Sequence, residues 1–297
     1  MSALSVVVAS GAGGEFLFRC LASLRAQVTE AGGEILVVDR TGEATRRRLA
    51  RECPDARVIA APADHRATVP EMRRIGVDHA RADLVAILEE HCTAPPGWAA
   101  AVVSGFRAGD VAIGGPILDS GFPRLRDWVV YFSEYHNYLP PWPDGERPGL
   151  NGANIAYRRE AVLRHRDVLD EGYWEVVLHP RLMRDGAFRA VNAMGAHHTG
   201  PFDYGYYLRQ RYLLSRVWGG TQRDHVPVTA RVAHLVAGPL FPLFLCARVT
   251  RRVLARKRLL GAYVESLPLL VPAWIAYAWG EWLGYLVGPG HALEEVE

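Results

Sequence analysis

The chain reads as an α/β protein with a mostly parallel central sheet, followed by a helical, apolar carboxyl-terminal region. Three observations predict this. Short apolar runs alternate with helix-period segments from Leu4 to Leu88, which argues for parallel strands joined by right-handed crossovers. The fourth of those runs, LVAIL, ends abruptly in Glu89, Glu90 and His91. From about residue 229 the composition turns almost wholly apolar, interrupted by one basic block.

Leu4 to Ala9 is the first strand, and Glu15 to Gln27 follows as a helix because Leu17, Cys20, Leu21 and Leu24 recur on one face. EILVV, Glu34 to Val38, makes the second strand and Ala44 to Cys53 the second helix. Arg57 to Ala60 is a short strand, and Val69 to Ala80 is a helix whose Pro70 suits the first turn. Leu84 to Leu88, five apolar residues bounded by turn signals, suits a buried strand. Ligands of open α/β sheets gather at the carboxyl ends of strands, so Ser10, Asp39 and Glu89 fall along one ligand-facing edge. Past residue 100 the rhythm loosens. Val111 to Gly114 is a candidate strand, Arg124 to Tyr138 is aromatic-rich, and LPPWPDGERPG reads as a mobile loop.

With 297 residues, 49% of them hydrophobic, the chain can build one large core or two smaller ones. The 34 basic and 32 acidic residues nearly cancel, so no global field argues for nucleic acid as a partner. Cys20, Cys53, Cys92 and Cys246 show no C-x-x-C spacing, which suits a reducing compartment without structural zinc. The opening MSALSVVVASGAGG lacks a basic leader region and reads as a strand. Two carboxylates and an imidazole converging at a strand tip make a reasonable divalent-cation site, with donors that suit manganese or magnesium. A solvated acidic turn is the plainer alternative.

In sequence, these segments resemble family 2 glycosyltransferases of the GT-A (nucleotide-diphospho-sugar transferase) fold, over roughly residues 4 to 220. SVVVAS and CLASLRAQ look like the family's first strand and helix, and EILVVDR like its second strand with the nucleoside-binding aspartate, a role that falls to Asp39. MRRIGVDHARADLVAILEEHC is similar to the arginine-bearing helix and the strand with its metal-binding acidic motif. The usual Asp-x-Asp is replaced here by Glu89 and His91. NGANIAYRR looks like the acceptor-side loop and strand, implicating Asn151 and Asn154, and WEVVLHPRLMRDG like the helix with the catalytic acid. Glu175 therefore inherits the general-base role, with Trp174 standing where the family carries a second carboxylate. His197 or His198 resembles a late metal-binding histidine, and QRYLLSR is loosely like the Gln-x-x-Arg-Trp motif.

The resemblance implies an inverting, metal-dependent transfer of a sugar from a nucleotide-diphosphate donor, a UDP-sugar by preference, to a hydroxyl acceptor. Ser10, Asp39, Arg73, Glu89, Glu90 and Arg216 would hold the donor; Glu89, His91 and His197 or His198 would hold Mn2+ or Mg2+. Glu175 would take the acceptor's proton, with Asn151, Asn154 and Trp174 on the acceptor side. Each residue also has a duller reading. Asp39 could cap its own turn, the two asparagines could serve a turn, and Trp98 and Trp174 could simply pack. Two rival functions stand beside this one: a sugar nucleotidyltransferase, for which SGAGGE has the glycines but lacks a phosphate-loop cation, and a degenerate module that binds glycans or scaffolds a complex.

The expected division is a catalytic domain over residues 1–225 and a membrane-interfacial region over 226–297. Val232 to Ala247 spans 16 residues, so at 1.5 Å per residue it reaches only about 24 Å across a hydrocarbon core roughly 30 Å thick. If it spanned, Arg248, Arg251, Arg252, Arg256, Lys257 and Arg258 would be carried to the far side, against the positive-inside rule. Helices lying in the cytoplasmic interface, with the basic block on anionic lipids and a lipid-linked acceptor within reach, fit better.

Overall fold

The structure, a computed structural model, describes residues 3–199 and 203–296; the side chain of Arg258 lies outside the described residues. In chain order the first elements are β1 (Ser5–Ser10), α1 (Gly14–Glu30), β2 (Glu34–Asp39), α2 (Glu43–Glu52), β3 (Ala56–Ala60), α3 (Val69–His79) and β4 (Leu84–Leu88). Then come β5 (Cys92–Thr93), α4 (Trp98–Gly105), β6 (Asp110–Gly114), β7 (Ile117–Leu118), α5 (Leu125–Tyr135), β8 (Gly145–Glu146) and β9 (Asn154–Arg158). The rest are α6 (Arg159–Arg164), α7 (Trp174–Val177), α8 (His179–Asp185), β10 (Ala187–Ala190), β11 (Ala196–His198), α9 (Tyr204–Arg223), α10 (Val228–Ala237), α11 (Phe241–Leu254), α12 (Leu260–Val287) and α13 (Ala292–Glu295). They form two compact units: Met1–Leu118 with Pro140–Thr199, and Asp119–Leu139 with Gly200–Val296.

The first unit is built on an eight-stranded sheet in the order β3-β2-β1-β4-β9-β6-β10-β8. Strands β1 to β4 are parallel to one another, while β9 runs antiparallel between β4 and β6. Val6, Val7 and Val8 of β1, Leu36 to Val38 of β2 and Val85 to Leu88 of β4 are buried, as continuous apolar runs must be when both sheet faces are covered. On one face α1 buries Leu17, Cys20, Leu21 and Leu24, the stripe its periodicity predicts, together with Phe18 and Val28. Helix α3 begins where Thr68 Oγ1 accepts from the Glu71 amide at 3.3 Å and Pro70 sits in the first turn. Ser10 lies opposite Asp39 in the β1–β2 register, and Glu89 follows directly on β4, so the three strand tips do share one edge. A small second sheet, β5-β11-β7, stands on that edge.

The stretch read as a mobile loop is instead anchored. Residues Gly145 and Glu146 pair with β10, Trp142 is buried under the Arg147 guanidinium 5.5 Å from its ring centre, and Asp144 accepts from the Asn192 amide. Its Pro-Gly composition reports turns, and a buried aromatic outweighs it.

The second unit is helical and draws in more of the chain than the expected boundary at residue 225 allows. Helix α12 runs 28 residues with Pro268 and Pro272 inside it and buries Tyr263, Leu270, Trp274, Ala278 and Tyr285. A face of that size needs partners, and α5 and α9 supply them; for that reason both cluster here. Backbones of α9 and α12 approach so closely that a Cβ at Gly280 would overlap Ser215 Oγ and the Tyr212 carbonyl, and one at Gly284 the Arg216 carbonyl and the Gly220 amide. Overpacking of this kind costs about 1–3 kcal/mol or more, so Gly284→Leu is expected to lower the thermal midpoint by several degrees in a melting scan while Gly261→Ala, at an open position, changes it little.

Residues Val228–Leu254 form a helical path of 27 residues, and with Leu260–Val287 give two helices long and apolar enough to cross a membrane. A 3-10 turn at Gly238–Leu240 carries the helix past Pro239, so the helical path is longer than the 16-residue apolar run counted from sequence. Val228, Val232 and Val236 on one helix, and Val264, Val271, Ile275 and Trp279 on the other, leave exposed apolar stripes at helical spacing.

Candidate functional site

The tip of β4 turns through Glu89 and Glu90 into His91 and β5, and β11 lies antiparallel beside it with His197 opposite Thr93 and His198 opposite Cys92. The Thr199 amide donates to the His91 carbonyl at 2.8 Å and fixes that register. Successive strand residues face opposite sides, so only one of the two histidines can turn toward Glu89. It is His198. The donor atoms of Glu89, His91 and His198 all lie within 4.8 Å of one another, and His197 stands outside this group. One carboxylate and two imidazoles fit a borderline divalent cation such as manganese better than magnesium, which favours oxygen ligands. The Phe16 ring packs 5.6 Å from that of His91 and limits its rotation.

Glu90, expected to touch the donor, is committed elsewhere. It is buried, and its two oxygens accept from the amides of Gly11, Ala12 and Gly13 at 2.9, 2.7 and 2.9 Å. Gly13 and Gly14 both take positive φ, the conformation that lets the β1–α1 loop turn its amides onto one carboxylate. Burial raises the Glu90 carboxyl above its usual range, while His91 and the three amides pull it back. Glu90 thus holds the loop.

Asp39 and Ser10, also expected at the donor, stand at the tips of β2 and β1. Both are fully buried. Asp39 accepts from Thr41 Oγ1 at 2.6 Å, from the Thr41 and Gly42 amides at 3.1 and 3.3 Å, and from Arg46 at 3.1 Å, which is the turn-capping arrangement. The Ser10 hydroxyl faces inward with no hydrogen-bond partner among the described residues. What opens at the strand tips is a cleft of about 530 Å³ lined by Gly11, Ala12, Arg40, Thr41, His65, Arg66 and Ala67. Arg40 donates to the Ala67 carbonyl at 2.7 Å and lies against the Gly11 carbonyl at 3.4 Å, bridging two of the loops. His65 is flanked by Glu71 and Asp64, which raise its pKa and favour imidazolium. Sequence reasoning missed Arg40, His65 and Arg66. The signal was their position just past the second and third strands, at the same sheet edge.

Glu175 sits at the start of α7, half-buried. Its Oε1 accepts from the Gly152 amide at 3.0 Å, and its Oε2 is buried with no hydrogen-bond partner among the described residues. A Cβ at Gly152 would overlap Glu175 Oε1 and come within 3.1 Å of Arg73 Nη1, so the glycine makes room for both charged groups. Arg73, on α3, is buried, and its Nε also lacks a hydrogen-bond partner among the described residues. Behind them Tyr157 Oη and His179 Nε2 lie 2.7 Å apart. Burial pulls the His179 imidazole down to about 4, Glu175 opposing and Arg73 assisting, so it stays neutral at ordinary pH.

The other acceptor-side expectations resolve into structure. Asn154 is fully buried, accepts from Trp98 Nε1 at 2.9 Å and donates to the Met194 carbonyl at 2.5 Å. Trp174 is fully buried, donates to the Leu169 carbonyl at 3.0 Å and meets Tyr157 edge-on, so it packs and cannot floor a sugar site. Asn151 Oδ1 accepts from the Ala153 amide at 2.7 Å and shapes the turn before Gly152 and Ala153. Arg216 belongs to the helical unit, where it lies 3.3 Å from Tyr212 Oη and 3.5 Å from the Gly288 carbonyl.

Among solved structures the chain is similar to the mannosyltransferase PcManGT from Pyrobaculum calidifontis in complex with GDP-Man and Mn2+, with a TM-score of 0.55 and 16% identity over 96% of this chain and 86% of that one. At that identity the likeness carries the fold, the GT-A arrangement of a mostly parallel sheet with helices at the carboxyl end. No curated protein sequence matches the chain. The family model for glycosyl transferase family 2 matches residues 5–166, more than half of the 297, and with the GT-A sheet beneath it the chain belongs to that family of glycosyltransferases.

Proposed function

We propose that this glycosyltransferase moves a hexose from a nucleoside-diphosphate sugar to a hydroxyl acceptor in one displacement that inverts the anomeric centre. The convergence of Glu89, His91 and His198 within 4.8 Å carries the reading, since a transferred sugar needs its diphosphate gripped as it departs. Bound there, a divalent cation, manganese by preference, would offset the charge of the leaving group. The cationic cleft around Arg40, His65 and Arg66 supports binding of the nucleoside diphosphate. Glu175 supports the proton transfer: its Oε2 is an acceptor without a donor among the described residues, and its Oε1 is fixed by Gly152. The acceptor oxygen attacks the anomeric carbon on the face opposite the diphosphate, its proton passes to Glu175, and the bond to the diphosphate breaks with the electron pair on the leaving oxygen. No covalent sugar-enzyme intermediate forms.

The exposed stripes of α10 and α12 and the basic block after α11 support docking at the cytoplasmic face of a membrane, as interfacial helices meeting anionic lipids. Each basic residue near such a surface contributes about 1 kcal/mol. An acceptor carried on a lipid is then the natural substrate.

A thermal-shift screen of UDP-, GDP- and dTDP-sugars with and without manganese tests the reading. The expected result is a midpoint rise of a few degrees for one nucleotide class, a UDP-sugar in first place, because ligand at about 100 Kd stabilises by roughly 2.7 kcal/mol. The rise should need manganese. No shift with any donor in its presence would overturn the function.

A further inference from the structure

The loop between β3 and α3 forms one wall of the cleft at the strand tips, contributing Pro62, Ala63, His65, Arg66 and Ala67 to its lining. Its two ends are tied to the sheet edge: the Ala61 amide donates to the Asp39 carbonyl at 2.9 Å, and the Ala67 carbonyl accepts from Arg40 at 2.7 Å. Between those ties one side chain fastens the loop to the helix that follows. His65 Nδ1 lies 3.0 Å from Asp64 Oδ1, and its Nε2 lies 3.1 and 2.9 Å from the two oxygens of Glu71, in the first turn of α3. An ionised carboxylate only accepts hydrogen bonds, so each ring nitrogen must donate, and a neutral imidazole has one N–H where this arrangement needs two. The fastening is complete only in the imidazolium form.

The surrounding charges act in the same direction. Glu71 and then Asp64 raise the His65 pKa. Arg74 stands 4.0 Å from Glu71, but it is shared with Asp170 at 2.7 Å and Asp78 at 3.1 Å, so it offsets little of the Glu71 charge. Arg40 and Arg66 are the cations of the cleft lining itself. With the proton on His65, one imidazolium stands between two carboxylates. Without it, both carboxylates are uncompensated beside a cleft that must hold a diphosphate, and one of them loses its hydrogen bond. Because the pKa is raised, the fastening is whole below the ordinary imidazole range and is lost as pH rises through the raised value. We propose that His65 sets the affinity for the nucleotide sugar as a proton-operated latch, holding the cleft wall to α3 when charged and releasing it, with repulsion of the diphosphate, when neutral. The latch rests on the donor-cleft reading above and on neither the metal ligands nor Glu175.

Calorimetry of the full chain with UDP-glucose and with GDP-mannose, at saturating manganese and in steps from about pH 6 to about pH 8.5, tests it. Imidazole titrates in that interval, and the diphosphate diester of a nucleotide sugar does not. Affinity is compared with that of His65→Gln at each pH, which cancels any response of the metal ligands themselves. His65 is exposed, so its substitution leaves the core untouched. The parent is expected to bind about fivefold tighter than His65→Gln at the lower pH, the upper end of what an exposed ion pair contributes, and no tighter at the higher pH. His65→Lys, which keeps a positive charge throughout, should match the parent at the lower pH and hold that affinity at the higher one. Glu71→Gln removes the stronger of the two carboxylates, so the fall in affinity should move to lower pH, a shift that a merely structural histidine would not give. A parent-to-glutamine ratio that is the same at both ends of the range would overturn the latch and leave the donor cleft standing. So would a His65→Lys protein that loses affinity with rising pH as the parent does. Failure of the parent to bind either nucleotide sugar at any pH would overturn the donor-cleft reading and the latch with it.

Discussion

Glu175→Gln is expected to reduce sugar transfer by about 10² to 10⁴ while leaving the dissociation constant of the nucleotide sugar unchanged. General-base catalysis is worth roughly that factor, and the amide keeps the size and one carbonyl oxygen of the carboxylate, so Gly152 can still donate to it. What disappears is the capacity to take a proton. The unpartnered Oε2 is the atom concerned, since Oε1 is already held. Turnover measured by nucleotide release at saturating donor, with donor affinity measured by calorimetry, separates this from a folding defect. Gly152→Ala should give a related result from the other side: the new Cβ displaces the Glu175 carboxylate and crowds Arg73, so turnover falls although no acid-base group is removed. Parent-like turnover in Glu175→Gln would transfer the role of base to another group. Loss of donor affinity in the same variant would mean that Glu175 holds the nucleotide sugar.

The strands and helices of the first half were legible because each carries its own period. Leu17, Cys20, Leu21 and Leu24 on α1, and the five apolar residues of β4, need no distant partner to declare themselves. The site was legible in outline, as three strand tips along one edge, but not in the direction each side chain takes. Glu90 and Asp39 look identical to ligand-binding acids in a one-dimensional chain. Only the folded loops reveal that Glu90 collects three amides and Asp39 a turn. The packing of Trp174 and Asn154 was hidden for a similar reason: their partners, Leu169 apart, lie 17 to 56 residues away, and such burial leaves no local signature. The helical unit was harder still. Gly280 and Gly284 give little sign in isolation that α9 fills the space they leave, so a boundary drawn from composition alone fell after that helix.

The two adjacent histidines provide the sharpest discrimination, because sequence resemblance could not choose between them and strand geometry does. His198→Ala is expected to weaken manganese binding by at least the 10- to 100-fold that loss of an outer partner of a metal ligand typically costs, and to reduce transfer in proportion at limiting metal. His197→Ala should leave both within about twofold. Pairing of β11 with β5 sets the difference: a strand alternates its side chains, and His198 is the one that stands with Glu89 and His91. His91→Ala should match His198→Ala, since the two imidazoles contribute equivalent nitrogen donors. Manganese affinity read by electron paramagnetic resonance of the free ion, on the protein without donor, keeps the measurement independent of catalysis. Should His197→Ala be the damaging variant and His198→Ala the silent one, β11 would have to be shifted by one residue in solution. That slip would carry Ala196 and His198 to the opposite face and break the match of His197 with Thr93.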